Sequence, residues 1–158
     1  MDRSLQNTHA KLMSRDIHRL RPSPTEANCF SLGGISWVSR VETVGTIVSR
    51  DMTPNFLKFS VDDGTGCVTC IMWLNQLTSR YFNRLDQSTI LLYSRAARKQ
   101  AAEVRIGAVA RVRGRVGLYR GVMQITATVV VTERDPNAEI LHWLECVRLG
   151  RSCYRIRS

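Results

Sequence analysis

Two runs of alternating apolar and polar residues flank a glycine-rich segment in the first half of the chain. Residues 61–66, with the sequence VDDGTG, separate the runs. Such a segment can reverse the chain because aspartate closes turns onto backbone amides and glycine accepts positive φ. Alternation with a period of two predicts β-strands, so we expect a β-hairpin over residues 56–73. The predicted inward residues are Leu57, Phe59, Val61, Val68, Cys70 and Met72.

Three further runs have the composition of β-strands. Residues 41–50 precede the hairpin and contain Gly45, where a strand would bulge or bend sharply. Residues 108–116 and 122–132 alternate again, and Gly117–Gly121 predicts the turn between them. The predicted inward residues of these two runs are Ala110, Val112, Gly114, Val116, Met123, Ile125, Ala127 and Val129.

Helical patterns lie before, within and after this β-rich region. Residues 11–20 carry apolar side chains every three to four positions, which predicts a short amphipathic helix that packs against the β-rich region. Residues 94–103 are rich in good helix formers. Near the end, Asp135 is the expected N-cap of a helix with Pro136 in its first turn.

Five strands with a helix between the third and fourth predict a mainly β protein built on an OB-fold barrel. We expect residues 1–40 to form an N-terminal helix and linker, and residues 41–133 to form the barrel. Residues 134–158 would form a C-terminal, partner-binding helix and tail.

The C-terminal helix carries an apolar stripe at helical spacing. Either the stripe packs on the helix's own barrel, or it meets a partner protein. Its residues are Ile140, Leu141, Trp143, Leu144 and Val147.

Positive charge is concentrated in the second half of the chain. The sequence has 23 basic and 13 acidic residues, a net charge of +10. Between residues 95 and 120 a basic block contains one acid, Glu103. These cations would bind phosphate, or they would pair with acids of a neighbouring subunit. The basic block comprises Arg95, Arg98, Lys99, Arg105, Arg111, Arg113, Arg115 and Arg120.

If the hairpin's apolar face points inward, Phe56, Lys58 and Trp73 point outward on the second and third strands. OB-folds bind oligonucleotides on this surface, and aromatic rings there stack on bases. Trp73 is the strongest single candidate. The alternative is that Trp73 packs under the following helix as barrel lining.

Two other motifs suggest chemistry but have simpler interpretations. Cys67 and Cys70 are three residues apart on a strand, so their sulfurs diverge and cannot easily hold one metal ion. Asp62 and Asp63 suit a turn better than acid–base work. We therefore predict no enzyme activity, no metal and no cofactor. Five cysteines indicate a reduced compartment, and the sequence has no apolar run long enough for a membrane span.

Several of these motifs, in this order and spacing, resemble the Stn-one subunit family of the CST complex. The resemblance spans about residues 11–156 and includes Tyr119-Arg120 and Asp135-Pro136. The other matching motifs are residues 44–48 (VGTIV), 61–66 (VDDGTG), 70–73 (CIMW) and 111–114 (RVRG). The length is similar to the short plant members, and functions of the winged-helix domains in animal and yeast members are not carried over.

The resemblance implies a nuclear protein of the telomeric region of chromosomes. It implies single-stranded, G-rich telomeric DNA as ligand and assistance to DNA polymerase α-primase. The implied protein partners are a small OB-fold subunit, Ten-one, bound through the C-terminal helix, and the large subunit, Ctc-one. The predicted DNA contacts come from the outward hairpin residues, the basic block and the turn before the fifth strand, and they are Phe56, Lys58, Trp73, Arg111, Arg113, Arg115, Tyr119 and Arg120.

One position departs from the family pattern. Gly117 stands where animal relatives have an arginine, which removes one expected nucleic-acid contact. Two other functions remain open at this point. One is a general single-stranded DNA-binding subunit resembling the middle subunit of replication protein A, and the other is an RNA-binding OB module.

Overall fold

The computed structural model describes residues 8–74 and 87–155. Within these residues the elements follow the order β1 (His9–Lys11), α1 (Ser14–His18), β2 (Arg21–Pro22), β3 (Phe30–Leu32), β4 (Ile35–Val38), β5 (Arg40–Met52), β6 (Phe56–Asp62), β7 (Cys67–Trp73), α2 (Gln87–Glu103), β8 (Val109–Tyr119), β9 (Val122–Thr132) and α3 (Ala138–Ser152).

A closed barrel of five strands forms the centre of the molecule. The sheet has the order β1-β5-β6-β7-β9-β8, and an additional pairing of β5 with β8 closes it. Strand β5 can serve both edges because its first half, Arg40–Thr46, pairs with β8 and its second half, Thr46–Met52, pairs with β6. The predicted OB-fold is confirmed, with a helix between its third and fourth strands.

Two glycines allow the barrel strands to approach closely. A Cβ atom on Gly45 would lie 2.4 Å from the carbonyl oxygen of Asp62, and one on Gly114 would lie 2.1 Å from that of Thr126. The irregularity of β5 lies between Ile47 and Ser49 rather than at Gly45. Gly45 is therefore required for close backbone contact, and the bulge predicted there occurs further along the strand.

The inward face of the hairpin is as predicted, and its six apolar residues are at most 6% exposed. The inward residues of β8 are also buried. Val129 is the exception on β9, because it is 42% exposed while Val130 is 6% exposed. The reason is a register shift at Arg113 and Gly114, which leaves Thr128 as an extra residue and reverses the alternation.

The N-terminal helix is shorter than predicted. Its first predicted residue, Lys11, belongs to β1, which runs parallel to β5, and only Ser14–His18 is helical. Pairing with β5 keeps this part extended, and the amide of Leu12 donates to the carbonyl of Glu42 at 3.3 Å. The apolar residues still face the barrel, since Leu12 and Ile17 are at most 1% exposed.

The segment between α1 and the barrel contains a sheet of three short strands, in the order β2-β3-β4. The sequence pattern predicts only a linker here. One hydrophobic core includes Ile17, Phe30 and Tyr154 together with the barrel interior. The predicted boundaries at residues 40 and 133 stay predictions, and residues 1–7 and 156–158 lie outside the described residues.

Three boundaries differ from the sequence-based expectations. Helix α2 ends at Glu103 as predicted but begins at Gln87, before the predicted residue 94. Strand β8 continues to Tyr119, and Arg120 and Gly121 alone reverse the chain, with φ of 51° and 79°. Helix α3 begins three residues after the predicted N-cap, and the carboxylate of Asp135 accepts the amide of Asn137 at 2.9 Å.

Substitution of Gly114 by alanine tests the close approach of β8 and β9. We expect Gly114→Ala to lower the free energy of unfolding by about 3 kcal/mol, because the new methyl group meets backbone rather than a movable side chain. Gly117→Ala on the same strand is the control, since its Cβ would have no neighbour within 4 Å. Urea unfolding followed by circular dichroism measures both, and equal stability of the two variants would contradict this account.

Candidate nucleic-acid interface and partner surface

The solvent side of four barrel strands forms one continuous surface, called here the outer face. Ile71 on β7 lies opposite Lys58 on β6 and is paired with Thr126 on β9. Thr126 in turn lies opposite Arg115 on β8. Because directly paired residues project to the same side of a sheet, these four side chains form a row with a cation at each end.

Aromatic side chains lie toward both ends of the outer face. Phe56 is paired with Trp73, and their rings meet edge to face with centroids 5.5 Å apart. Trp73 is 41% exposed, so it does not line the barrel as the alternative interpretation required. Tyr119 lies toward the other end and is 54% exposed. The distance along the strands between Trp73 and Tyr119 is about 20 Å at ~3.3 Å per residue.

The centre of the outer face carries small or neutral side chains. Thr69 is paired with Gln124, and Gln124 is paired with Gly117. A Cβ atom on Gly117 would have no neighbouring atom within 4 Å. The centre therefore has open space where a longer side chain or a ligand would fit.

The turn between β8 and β9 adds a cation beside an aromatic ring. The guanidinium carbon of Arg120 lies 5.3 Å from the ring centroid of Tyr119. Both side chains are exposed. A guanidinium over a ring face gives a cation–π contact and keeps its donors available for an anion.

Arg111 and Arg113 are in a different environment from Arg115. The Nε of Arg113 donates to Oε1 of Glu42 at 2.6 Å, and the Nε of Arg111 donates to Glu133 at 2.7 Å. Nη1 of Arg111 also lies 3.4 Å from Glu42. Burial opposes ionisation of Glu42, but the hydrogen bond from Arg113 and the charges of Arg111, Arg113 and Lys11 lower its pKa overall.

The residues of the basic block thus differ in whether an acid of the same chain neutralises them. Two of its arginines neutralise Glu42, which is 1% exposed. Counting acids between residues 95 and 120 missed Glu42 and Glu133, because neighbouring strands bring partners that are distant in sequence. Each guanidinium has further donors, so the phosphate contacts predicted for Arg111 and Arg113 stay a prediction.

Asp62 and Asp63 form the turn of the hairpin. The Asp62 carboxylate accepts the amide of Gly64 at 2.8 Å, and Asp63 accepts the amide of Thr65 at 3.0 Å. Asp63 also accepts the amide of Ser14 at 2.6 Å, which attaches α1 to the barrel. The turn role predicted for this pair is confirmed, and Asp63 has the additional role of an anchor.

The two cysteines of β7 lie on opposite sides of the strand, as the alternation predicted. Cys67 is exposed, and Cys70 is fully buried, where burial raises the pKa of its thiol. Within residues 8–74 and 87–155, three or more metal-binding side chains do not come together. None of the helices in that same part of the chain has the length and apolar content to cross a membrane.

Helix α3 packs on the barrel through one narrow face and exposes the other. Its buried residues are Ala138, His142, Cys146 and Gly150, at a spacing of four. The amine of Lys11 on β1 contacts Glu145 and so pairs the helix with the barrel. Burial lowers the pKa of His142, so a neutral imidazole lies under the helix.

The apolar stripe lies on the exposed side of α3. Its five residues, from Ile140 to Val147, are between 41% and 61% exposed. They are therefore not the residues through which α3 buries its barrel-facing side. Monomeric proteins rarely expose adjoining large apolar side chains of this kind without a partner.

The chain is 78% identical over 157 residues to CST complex subunit STN1 of Arabidopsis thaliana, and the match covers 99% of this chain and 98% of that protein. The chain belongs to the STN1 family of CST complex subunits. Bovine CST complex subunit STN1 is 31% identical over 155 residues, which are 92% of this chain and 42% of the bovine protein. The chain thus spans less than half of the mammalian STN1 protein. No family model matches the sequence.

Solved structures show the same fold. The S. pombe Stn1-ten1 complex contains a chain that matches with a TM-score of 0.72 at 19% identity, over 94% of this chain and 96% of that one. A replication protein A heterotrimer bound to ssDNA contains a chain with a TM-score of 0.69 at 20% identity, over 92% of this chain and 97% of that one. The resemblance to the STN1 family and the OB-fold are both confirmed.

Substitution of Glu42 by glutamine tests the arginine cluster. We expect Glu42→Gln to lower the free energy of unfolding at neutral pH by about 2 kcal/mol, because hydrogen bonds to a charged group are lost. The pKa of Glu42 is lowered in the folded state, so its stabilisation is present above the ordinary value of 4.5 and is lost as the pH falls below it.

Urea unfolding at a series of pH values compares the two proteins. The difference between wild type and Glu42→Gln should shrink as the pH falls below about 4.5, where Glu42 begins to protonate in the unfolded chain. A difference that stays constant with pH would show that the carboxylate charge has no part in the effect.

Proposed function

We propose that this STN1 family member is a telomere-end protection subunit of the CST complex that binds single-stranded, G-rich telomeric DNA together with its partner subunits. The observation that carries the proposal is the outer face, which combines exposed aromatic rings with cations on a barrel of the STN1 family. OB-folds bind oligonucleotides on this face of the barrel.

The DNA strand would lie across the outer face between its two aromatic ends. Trp73 and Tyr119 would stack on bases, and each stacking contact contributes about 1–3 kcal/mol without reading sequence. Lys58, Arg115 and Arg120 would contact phosphates. Among the described residues, these three cations are in no ion pair with an acid of the same chain.

The apolar stripe of α3 would bind the small OB-fold subunit, Ten-one. The stripe is exposed along its whole length, and α3 uses its opposite face for its own barrel. A chain of the S. pombe Stn1-ten1 complex has the fold of this protein. Trp143 lies near the middle of the stripe and is 51% exposed, and tryptophan is enriched among interface anchors.

The remaining roles follow from membership of the complex. We propose contacts with the large subunit, Ctc-one, and assistance to DNA polymerase α-primase in filling in the complementary strand. The protein would act in the nucleus, at the telomeric region of chromosomes. It would bind and assemble rather than catalyse, since the relatives are named as subunits of a complex.

A general single-stranded DNA-binding role is the second candidate. The observation that favours it is the 24% identity to a 32 kDa subunit of replication protein A from Arabidopsis thaliana, over 87% of this chain. The 78% identity to STN1 favours the CST role. Copurification from a nuclear extract with replication protein A subunits rather than with CST subunits would favour the general role.

Two substitutions on the outer face should change DNA affinity in opposite directions. Trp73→Ala should weaken binding of a telomere-repeat oligonucleotide about tenfold, because a stacking surface is lost.

Gly117→Arg should strengthen binding several-fold, because the added guanidinium enters open space at the centre of the face. It should also steepen the dependence of log affinity on log salt by about 0.7.

Fluorescence anisotropy with the chain alone and with the small subunit measures both effects. Gly117→Gln adds a side chain without charge and should leave the salt dependence unchanged. If Gly117→Arg behaved as Gly117→Gln does, the centre of the outer face would not contact phosphate. If Trp73→Ala bound the oligonucleotide as tightly as wild type, Trp73 would not be part of the DNA site.

A charge placed in the apolar stripe should break the contact with the small subunit. We expect Leu144→Glu to reduce binding to this subunit at least a hundredfold in an analytical ultracentrifugation titration, since an unpaired carboxylate would be desolvated. Leu92→Glu is the control, because it adds the same charge on α2 at a residue that is 68% exposed. Normal binding by Leu144→Glu would place the interface elsewhere.

A further inference from the structure

A groove of about 480 Å³ lies between the N-terminal segment and the barrel. Its lining includes Asn28, Arg40, Arg115 and Thr126. Arg40 is the first residue of β5, and Arg115 lies directly opposite it on β8. The sequence pattern places Arg40 at the end of a linker and gives it no role.

Arg40 and Arg115 form a pair of like charges on adjacent antiparallel strands. Such residues project to the same side, and like charges directly opposite each other destabilise the strand pair. For the part of the chain that the structure describes, neither guanidinium is in an ion pair, whereas Arg111 and Arg113 on the same strand contact Glu42 and Glu133. The groove therefore contains positive charge that the chain itself does not neutralise.

The groove is continuous with the outer face. The row of Lys58, Ile71, Thr126 and Arg115 ends on β8, and the pairing of β8 with β5 adds Arg40 as its next member. The row thus crosses all five strands of the barrel. Arg115 belongs to both surfaces, since it lies on the outer face and lines the groove.

We propose that Arg40 and Arg115 bind one phosphodiester group of the single-stranded DNA, so that the strand continues from the outer face into the groove. This inference rests on the proposed function. Guanidinium groups suit phosphate because their planar forks donate two parallel hydrogen bonds. Thr126 and Asn28 line the same groove, and both residue types carry polar side chains.

The charge pair also affects the free protein. Without an anion between them, the two guanidinium groups repel each other. Removal of one charge should therefore stabilise the free protein and weaken its binding to DNA. A residue with only a structural role would not change these two properties in opposite directions.

The test is Arg40→Gln in the full chain assembled with the small subunit, titrated with a telomere-repeat oligonucleotide over a series of salt concentrations. We expect weaker binding at low salt and a slope of log affinity against log salt that is shallower by about 0.7, the value for one lost phosphate contact. Thermal unfolding of the unliganded protein at low salt should occur at a higher temperature than in wild type.

Arg134→Gln, an exposed arginine eight positions beyond Thr126, is the control for loss of one charge. It should leave the slope close to that of wild type.

An unchanged slope for Arg40→Gln, with normal binding by wild type and weaker binding by Trp73→Ala, would overturn this inference alone. The inference would also be overturned if Arg40→Gln kept the wild-type slope but bound the small subunit poorly, because Arg40 would then contact an acidic protein surface rather than DNA. Absence of DNA binding by wild type in every assembly would overturn the proposed function as well.

Discussion

Strand β5 pairs with two different barrel strands, and this double pairing closes the barrel. This strand of 13 residues pairs with β8 through its first half and with β6 through its second, and β1 adds to its first three residues. The closed barrel is possible because Gly45 lets the strand approach the carbonyl of Asp62. The same closure brings Arg40 beside Arg115 and Glu42 beside Arg113. One strand therefore organises the core, the buried carboxylate and the groove.

Charge divides the barrel surface into regions of different use. Near α3, Glu42 and Glu133 neutralise the arginines in the first part of β8, and Lys11 pairs with Glu145 of the helix. Further along β8 the chain supplies no acid in the described residues, so Arg115 and Arg40 remain available to an anion. The neutralised region lies close to the helix that carries the apolar stripe, and the cationic region continues the outer face. In our proposal the apolar stripe of that helix supports assembly, and the cationic region supports DNA binding.

Local patterns predicted the fold well, and tertiary pairing explains what they missed. Alternation predicted the hairpin and its buried face, because a period of two depends only on neighbouring residues. Alternation failed at Val129, because the bulge at Thr128 exchanges the inward and outward positions of the strand. The place of that bulge depends on the register with β8. The apolar stripe was predicted from helical spacing, but only the packing of α3 decides that it is exposed. Glu42 and Arg40 were missed because their significance comes from the opposite strand, which the sequence does not display.

In our proposal this STN1 family member binds DNA and its small partner through separate surfaces. Hydrogen exchange followed by mass spectrometry would distinguish the two surfaces, with telomere-repeat DNA and the small subunit added separately and then together. We predict that DNA slows exchange in β6, β7 and the turn between β8 and β9, and that the small subunit slows exchange in α3. Protection of α3 by DNA, or of β6 and β7 by the small subunit, would show that the two ligands do not bind separate surfaces.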